Sequence, residues 1–317
     1  MPMVSDIRRH YPGANIDWVV EEGYVGLVRM NPDVRRIIPI ALRRWRKSLL
    51  SAATRAEISH FRQELKRDAY DVVFDTQGLL KTSVVMRMAR LAPDGHRVGL
   101  ANATEGSGYE PLSRLFHTRS VGVGLHTHAV LRAREVAAKA LGYSVEGVAE
   151  FNMHPPAMAL AERPAWLPET PYAVFFHGTA RADKQWPISD WVQIASLLAE
   201  RGLPVLLPWG NDDERHNAEQ MASQTSNARV LPRLPLMEAV LLAQRAALVI
   251  GVDTGLTHIA AAFCRPTIEL YCDSPRWKTE GNWSPEIINL GDLGAAPSAN
   301  QVAEAARVLL HSGRLSE

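Results

Sequence analysis

Six consecutive residues in the C-terminal half, Asp253 to His258, combine side chains and spacing that suit a phosphate group. They follow a β-branched, apolar run that predicts a short buried strand, and they precede an apolar stretch that predicts a helix. The first turn of a helix has free backbone N–H groups and the positive end of the helix dipole, which together attract anions. Gly255 lacks a Cβ and lets a ligand approach the backbone closely. Thr254, Thr257 and His258 add side-chain donors, so the segment predicts a phosphate-bearing ligand in this half of the chain.

Two other interpretations of this segment stay open. Asp-Thr-Gly is also the catalytic triplet of aspartic proteases, whose chemistry needs two carboxylates that share one proton. The chain has a single such triplet in an α/β pattern, which disfavours a protease. An ordinary strand-to-helix turn capped by Asp or Thr would show the same residues without binding a ligand. The other motifs of the chain must therefore decide.

A lysine in an earlier strand-to-helix loop supplies the cation that a diphosphate would need. A strand is predicted to end at His177, and the small, polar loop after it contains Lys184 shortly before the next predicted helix. The carboxyl ends of parallel strands meet at the same edge of a sheet, so we expect Lys184 on the same edge as Asp253. A lysine at that place would neutralise a phosphate as a point charge, whereas a solvated surface lysine is the alternative.

Two further strand-to-helix turns have both a binding and a structural interpretation. Glu214 could accept hydrogen bonds from ribose hydroxyls, but the Asn-Asp-Asp-Glu run that contains it is also typical of a helix cap, which these residues alone favour. In the turn after Asp75, Gln77 and Lys81 could contact a second substrate. Alternatively, Gly78 is only a turn residue.

A basic cluster surrounds Trp45 immediately after a predicted strand and comprises Arg43, Arg44, Arg46 and Lys47. Arginine binds carboxylates and phosphates through paired hydrogen bonds, so the cluster suits an anionic acceptor. Trp45 suits a membrane interface or stacking on a cation. A membrane-surface patch, a nucleic-acid patch and a solvated helix start are the alternatives. The net charge of +1 favours a localised anion site over a nucleic-acid platform.

The composition is that of a globular protein with room for two domains. The 317 residues are 46% hydrophobic and 22% charged. Cys264 and Cys272 are the only cysteines and have no other plausible zinc ligands beside them, so we expect neither a zinc site nor a disulfide. The sequence contains no apolar stretch approaching the roughly 20 residues of a membrane span and no signal-peptide pattern. We therefore expect a cytoplasmic protein that touches a membrane surface.

Apolar periodicity predicts alternating strands and helices along the chain. Strands are predicted at Ile16–Glu21, Val34–Ile40, Asp71–Asp75, Tyr172–His177, Pro204–Leu207, Arg229–Leu231, Ala247–Gly251 and Thr267–Tyr271. Helices are predicted at Thr54–Arg67, Leu80–Ala92, His128–Leu141, Ser189–Arg201, Asp212–Ser223, Leu236–Arg245, Leu256–Phe263 and Ser298–His311. Such alternation is typical of parallel sheets covered by helices on both faces, which bind ligands at the carboxyl ends of their strands.

A stretch rich in proline divides this alternation into two domains. We predict an N-terminal domain over residues 1–150, a linker over 151–170 and a C-terminal domain over 171–317. The chain opens on a predicted helix from Met1 to Arg9, although a domain of this kind normally begins with a strand. We expect that first strand and the loop after it to be missing.

The motifs, taken in order, resemble those of the ADP-heptose:lipopolysaccharide heptosyltransferase family, and its type I branch most closely. No single motif is decisive, but the ordered set is specific and runs through nearly the whole chain. It consists of Asp17–Gly23, Arg43–Lys47, Asp75–Leu79, Asp183–Pro187, Leu207–Gly210 and Val252–His258.

The resemblance implies a GT-B fold, an α/β architecture of two Rossmann-like domains whose parallel sheets face a central cleft. It implies an inverting, metal-free glycosyltransferase, without a cofactor, that moves L-glycero-D-manno-heptose from ADP-heptose to a Kdo residue of Kdo-lipid A. We expect a monomer at the cytoplasmic face of the inner membrane, with no nucleic-acid partner. The implied donor-binding residues are Thr179, Lys184, Glu214, Asp253, Thr254, Gly255 and His258. The implied acceptor-binding residues are Arg43, Arg44, Arg46 and Lys47, with weaker support for Gln77 and Lys81.

The resemblance also implies a general base that this sequence does not show. Family members begin with a strand and a Ser-x-Gly-Asp loop, whose Asp is expected to deprotonate the acceptor hydroxyl. This sequence begins with the helix after that loop, so we expect the catalytic Asp to lie upstream of Met1. A misassigned start codon or a fragment would explain this.

Two alternative functions follow. One is an inactive homologue that binds a nucleotide sugar or another anion. The other is a heptosyltransferase that acts on a later core acceptor. The Arg43–Lys47 cluster favours the Kdo step, because a neutral sugar acceptor needs fewer cations.

Overall fold

Both halves of the chain are built on parallel β-sheets in the computed structural model, which describes residues 1–155, 164–179 and 181–312. The internal contacts divide the chain into Met1–His154, called unit 1, and Pro155–Glu317, called unit 2. Part of the predicted linker, residues 156–163, lies outside the described residues. Within the described ranges, none of the helices combines the length and the hydrophobicity that crossing a bilayer requires.

Unit 1 contains two groups of parallel strands. The first group pairs β1 (Ile16–Glu21) with β2 (Val34–Ile40), and the second pairs β3 (Tyr70–Asp75), β4 (Leu91–Leu100) and β5 (Arg119–Val121) in that order. The helices that accompany them are α1 (Pro2–His10), α2 (Val25–Arg29), α3 (Leu42–Trp45), α4 (Ala52–Lys66), α5 (Leu80–Met88) and α6 (Ala129–Leu141).

Helix α4 shows how the sequence positions an element of unit 1. Ser51 caps its first turn by accepting a hydrogen bond from the backbone N–H of Thr54 at 3.0 Å. Thr54, Phe61 and Leu65 are buried at helical spacing, so this face packs on the sheet. The other faces of α4 are left for solvent or for a partner.

Unit 2 is a six-stranded parallel sheet in the order β11-β10-β9-β6-β7-β8. The strands are β6 (Ala173–Phe176), β7 (Val205–Leu207), β8 (Ala228–Val230), β9 (Leu248–Val252), β10 (Thr267–Tyr271) and β11 (Ile287–Gly291). The helices are α7 (Ile188–Ala199), α8 (Asp212–Gln224), α9 (Leu236–Arg245), α10 (Gly255–Ala262) and α11 (Ala299–Ser312). Its central strands are buried along their whole length because separate apolar clusters cover both faces of the sheet.

The strand order of unit 2 positions its two phosphate-site motifs. β6 and β9 are hydrogen-bonded neighbours, with Phe176 opposite Gly251 near their carboxyl ends. The loops that follow these strands therefore leave the sheet side by side. Gly251 is required by this packing, since a Cβ there would lie 2.1 Å from Oγ1 of Thr257 on α10.

The predicted α/β alternation is confirmed, but several elements differ from the prediction. The helix predicted at Leu80–Ala92 ends at Met88, and β4 begins at Leu91. The run Leu-Ala-Pro-Asp-Gly that opens β4 is typical of a turn, yet Tyr70 already pairs with Leu91 there, and the register shifts just beyond that pair. Besides β4, the sequence did not predict β5, β11, α2 and α3. The other predicted elements have ends within two residues of those observed.

Candidate functional site

The amino end of α10 is open to a ligand. Thr254 occupies the N-cap position in an extended conformation, and no side chain caps the first turn. A Cβ built on Gly255 meets nothing within 4 Å, so the backbone is approachable at that point. Uncapped amides and the helix dipole make this a suitable place for a phosphate.

Asp253, immediately before α10, lies between two cationic side chains. Nζ of Lys184 is 2.5 Å from Oδ2 of Asp253, and Nε2 of His258 is 3.0 Å from Oδ1. Burial opposes ionisation of Asp253, but the hydrogen bonds from His258 and Lys184 prevail and hold the pKa of this carboxyl well below its usual range. The predicted proximity of Lys184 and Asp253 is therefore present, as a direct ion pair.

His258 is held from its other side by Glu269, the third residue of β10. Nδ1 of His258 lies 2.9 Å from Oε1 of Glu269, a fully buried carboxylate. The other oxygen of Glu269 accepts hydrogen bonds from the Tyr271 hydroxyl and from the backbone N–H of Gly281. Burial alone would lower the pKa of His258, but the bonds to both carboxylates raise it to about 9. His258 is thus a charged imidazolium at neutral pH that donates from both ring nitrogens.

This geometry corrects two sequence-based assignments. His258 was predicted to donate directly to the ligand, but both of its N–H groups are already donated to carboxylates, so it positions Asp253 instead. Thr257 was predicted as a further side-chain donor, but it is fully buried and its hydroxyl donates to the carbonyl of Val252. The predicted ligand donors that stay accessible are the backbone amides of this turn, the half-buried side chain of Thr254, and Lys184 from the loop after β6.

Glu214, at the start of α8, lies against the loop that follows β6. Its carboxylate accepts hydrogen bonds from the backbone N–H of Gly210 at 2.7 Å and from Nδ2 of Asn211 at 2.9 Å. A Cβ on Gly178 would lie 2.4 Å from Cδ of Glu214, so this glycine lets the carboxylate lie against the loop just before Thr179. The helix-capping interpretation is confirmed, because the side chain of Asn211 accepts a hydrogen bond from the backbone N–H of Glu214. A carboxylate can accept more than two hydrogen bonds, so it stays competent toward ribose hydroxyls.

The network around Glu269 was missed from the sequence. Glu269, Tyr271 and Gly281 carry no recognisable motif, and Thr279 donates weakly to Asp253 at 3.4 Å. The available signal was Glu269 itself, a charged residue inside an otherwise uncharged strand. A charged side chain in a strand that is covered on both faces needs buried partners.

In unit 1 the basic cluster divides into paired and unpaired cations. Arg44 forms ion pairs with Glu22 at 3.0 Å and with Glu57 at 2.8 Å, so its charge is compensated. Trp45 is buried, packs edge-on against Phe61 and donates to Glu57, which excludes the predicted roles at a membrane interface or on a cation. Within the described part of the chain, three exposed cations of the cluster have no carboxylate partner: Arg43, Arg46 and Lys47.

The turn after β3 has a clear structural role. Buried Asp75 accepts hydrogen bonds from the backbone N–H groups of Gln77 and Gly78 and from the hydroxyls of two residues on α5, Thr82 and Ser83. Gly78 has a φ of +69°, which confirms it as a turn residue. The side chains of Gln77 and Lys81 are exposed, so the turn presents both to solvent.

The described residues form no evident metal-binding centre. Among residues 1–155, 164–179 and 181–312, no group of three His, Cys, Asp or Glu side chains is arranged to hold a metal ion. Cys264 is exposed and Cys272 is buried, and both thiols are free.

Comparison with known proteins connects this geometry to a family. The model of glycosyltransferase family 9 (heptosyltransferase) matches residues 58–308. Lipopolysaccharide heptosyltransferase 1 of Pseudomonas aeruginosa is 40% identical over 301 residues, which cover 94% of this chain and 81% of the relative. The enzyme of the same name from Escherichia coli K12 is 39% identical over 274 residues, covering 86% of this chain and 82% of the relative.

Solved structures agree with the sequence relatives. The structure of E. coli heptosyltransferase WaaC with ADP matches 98% of this chain and 94% of its own, with a TM-score of 0.79 and 34% identity. The complex of WaaC with ADP-2-deoxy-2-fluoro heptose matches with a TM-score of 0.74 at the same identity. A family 9 glycosyltransferase from Veillonella parvula shares the fold at 18% identity, with a TM-score of 0.78.

Proposed function

The chain belongs to glycosyltransferase family 9, the heptosyltransferases of lipopolysaccharide synthesis, and we propose that it catalyses the heptosyltransferase I step. In that reaction L-glycero-D-manno-heptose passes from ADP-heptose to a Kdo residue of Kdo-lipid A. One observation carries the proposal: an uncapped, open helix start lies beside Lys184 in a chain that resembles ADP-bound heptosyltransferases.

The donor binds unit 2 through its diphosphate. The backbone N–H groups at the start of α10 donate hydrogen bonds to phosphate oxygens, and Lys184 turns from Asp253 toward the same group. Moving Lys184 from Asp253 to the phosphate costs little free energy, because the imidazolium of His258 stays bonded to Asp253 when the lysine leaves. Asp253 is therefore never an uncompensated buried charge.

The nucleoside of the donor meets the neighbouring loop. Glu214 accepts hydrogen bonds from the ribose hydroxyls while Gly210 and Asn211 hold its carboxylate in place. Thr179, which follows Gly178, is half-buried at the same carboxyl edge of the sheet and contributes a hydroxyl to the donor.

The acceptor binds unit 1 through its negative charges. Kdo carboxylates and lipid A phosphates are anions, and Arg43, Arg46 and Lys47 are exposed cations without carboxylate partners in the described ranges. Gln77 and Lys81 add polar contacts after β3. Arg44 stabilises the cluster through Glu22 and Glu57. Because this acceptor is a membrane lipid, the protein works at the cytoplasmic face of the inner membrane.

The chemistry is a displacement at the anomeric carbon with inversion. The acceptor oxygen forms a bond to that carbon, the bond to the ADP oxygen breaks, and the acceptor hydroxyl loses its proton to a base. Negative charge develops on the leaving ADP, where Lys184 and the α10 dipole stabilise it without requiring a metal ion.

The transfer reaction itself is the test. The protein is incubated with ADP-heptose and Kdo-lipid A, and mass spectrometry detects the mass of one added heptose. ADP binding is measured in parallel by calorimetry. Binding without transfer to any core acceptor would contradict the enzymatic proposal and favour a nucleotide-sugar-binding homologue, while transfer only to a heptose-bearing acceptor would assign a later step.

A further inference from the structure

Helix α4 carries a row of cations along one exposed face. Arg55, Arg62 and Lys66 occupy positions i, i+7 and i+11 and are all exposed, and they share this face with Ser59. In the described part of the chain none of the three has a hydrogen-bond or ion-pair partner for its side chain. The row, called here the α4 stripe, runs along a helix of 15 residues, or roughly 22 Å.

The acidic residues of α4 lie on a different face and are already paired. Glu57 accepts from Arg44 and Trp45, and Glu64 lies 3.6 Å from Arg36. Neither carboxylate compensates the α4 stripe. The helix therefore separates its charges, and the face that carries the cations has a net positive charge.

A groove between the α4 stripe and α5 has a mixed cationic and apolar lining. Its volume is about 550 Å³, and Arg62, Lys66 and Arg87 line it together with Val84, Met88 and Phe116. The carboxyl ends of α4 and α5 carry partial negative charges of roughly half a unit each, which three unpaired cations exceed. The groove thus suits an anionic group attached to an apolar body.

Two exposed leucines directly precede the N-cap of α4 in the chain. Leu50 is 90% exposed and Leu49 is 55% exposed, in the loop that joins the Arg43–Lys47 cluster to the helix. Apolar side chains next to unpaired cations are typical of protein segments that rest in a lipid interface. The charges attract anionic headgroups, and the leucines gain by leaving water.

We propose that the face of unit 1 formed by the α4 stripe, the groove beside it, and Leu49 and Leu50 docks on a bilayer that contains anionic phospholipids. A bilayer is favoured over a soluble anion because the unpaired cations are spread along a whole helix, where they match a row of headgroups rather than one phosphate. The docking deepens the proposed function and rests on it for the lipid nature of the acceptor. It would hold the protein where that acceptor is found.

The test is co-sedimentation of the protein with vesicles of phosphatidylcholine, with or without phosphatidylglycerol. We expect binding to the anionic vesicles only, and weakening by salt. The variant R55E/R62E/K66E should lower the vesicle partition coefficient on the order of 100-fold or more, since each basic residue at an anionic surface contributes roughly a factor of five. The variant L49S/L50S should weaken binding at both low and high salt.

Matched variants control for net charge and for hydrophobicity. R29E/R201E/R307E makes the same change in net charge on α2 and unit 2, and L125S/L293S removes two other exposed leucines. Both should bind as the unaltered protein does, and unchanged thermal unfolding should accompany all four variants. Equal losses in test and control variants, equal binding to neutral vesicles, or no vesicle binding would overturn the proposal. Loss of single-stranded RNA binding in R55E/R62E/K66E, without vesicle binding, would assign the face to nucleic acid instead.

A second readout separates docking from catalysis. R55E/R62E/K66E should transfer heptose to a deacylated, water-soluble Kdo acceptor at the unaltered rate, because the three residues belong to neither substrate site. Its rate with Kdo-lipid A in anionic vesicles should fall. If the unaltered protein transfers heptose to neither acceptor, the proposed function fails, while sedimentation still decides the docking.

Discussion

The fully buried carboxylate of Glu269 accepts a hydrogen bond from Nδ1 of His258 at 2.9 Å, on the side of the ring opposite Asp253. The imidazolium is therefore fixed between two carboxylates, and Asp253 keeps a cationic partner whether or not Lys184 is bound to it. This arrangement separates two roles. In the proposed function Lys184 turns from Asp253 to the ligand, while His258 stays bonded to Asp253 and Glu269.

Replacing Lys184 by alanine should weaken the binding of ADP on the order of 10- to 100-fold, because a charge-assisted hydrogen bond to phosphate is lost. The fold should persist, since His258 still compensates Asp253. Calorimetry with ADP is the measurement, and R181A, an exposed cation of the same loop that is paired with Asp183, is the control. Unchanged ADP affinity in K184A would remove the lysine from the phosphate site.

The variant E269Q should lower the pKa of His258 from about 9 toward its ordinary value, because one of two carboxylate partners is lost. The folded pKa lies above the unfolded value of 6.5, so ionised His258 stabilises the fold fully below pH 6.5 and progressively less as pH rises through 9. That decline amounts to at most about 3 kcal/mol in the unaltered protein and should be smaller in E269Q.

Urea unfolding between pH 6 and pH 10, together with NMR titration of the His258 ring, measures both effects. Y271F serves as the control, since it removes a hydrogen bond from Glu269 but keeps the carboxylate charge. The same pH dependence in E269Q and in the unaltered protein would show that Glu269 does not sustain the imidazolium.

The variant G255A should raise thermal stability slightly and weaken nucleotide binding at the same time. An added Cβ meets nothing within 4 Å, and alanine in a first helical turn stabilises by up to about 1 kcal/mol. The methyl group would nevertheless stand where a phosphate must approach the backbone. Thermal unfolding and ADP calorimetry on the same sample test this. Full ADP affinity in G255A would place the phosphate elsewhere.

Removing the unpaired cations R43A/R46A/K47A should raise KM for Kdo-lipid A about tenfold or more while leaving KM for ADP-heptose unchanged, because the cluster belongs to unit 1 and the donor site to unit 2. Steady-state kinetics with each substrate varied in turn is the measurement. R44A should have the smaller effect on KM for the acceptor, since Glu22 and Glu57 already compensate that charge. A larger effect in R44A would reverse this division of the cluster.

Chelation of divalent ions with EDTA should leave the rate of transfer unchanged, because Lys184 and the amino end of α10 meet the charge of the leaving diphosphate. The rate is compared before chelation, after chelation and after adding Mg²⁺ or Mn²⁺. Activity lost on chelation and restored by either ion would require a metal in the mechanism.

Regular periodicity explains what could be predicted of the fold. The apolar run of Leu248–Val252 is typical of a buried strand, and the apolar residues of Ala129–Leu141 recur at helical spacing. The local sequence is therefore enough to predict both elements. β4 was missed because its first residues contain Pro93 and Gly95, which are typical of turns. Its conformation depends on pairing with β3, more than 15 residues earlier in the chain.

The sequence by itself determined that unit 2 has a strand-to-helix turn suited to a phosphate, because Asp253, Thr254 and Gly255 follow an apolar strand and open a helix. It also indicated Lys184, since loops after parallel strands share one edge. Only the tertiary structure decided which groups are free to bind. The contact between Lys184 and Asp253 joins two loops, and the contact between His258 and Glu269 joins a helix to a strand. Hydrogen bonding and burial of that kind have no periodicity along the chain, so the availability of each donor becomes visible only once the strands are placed side by side.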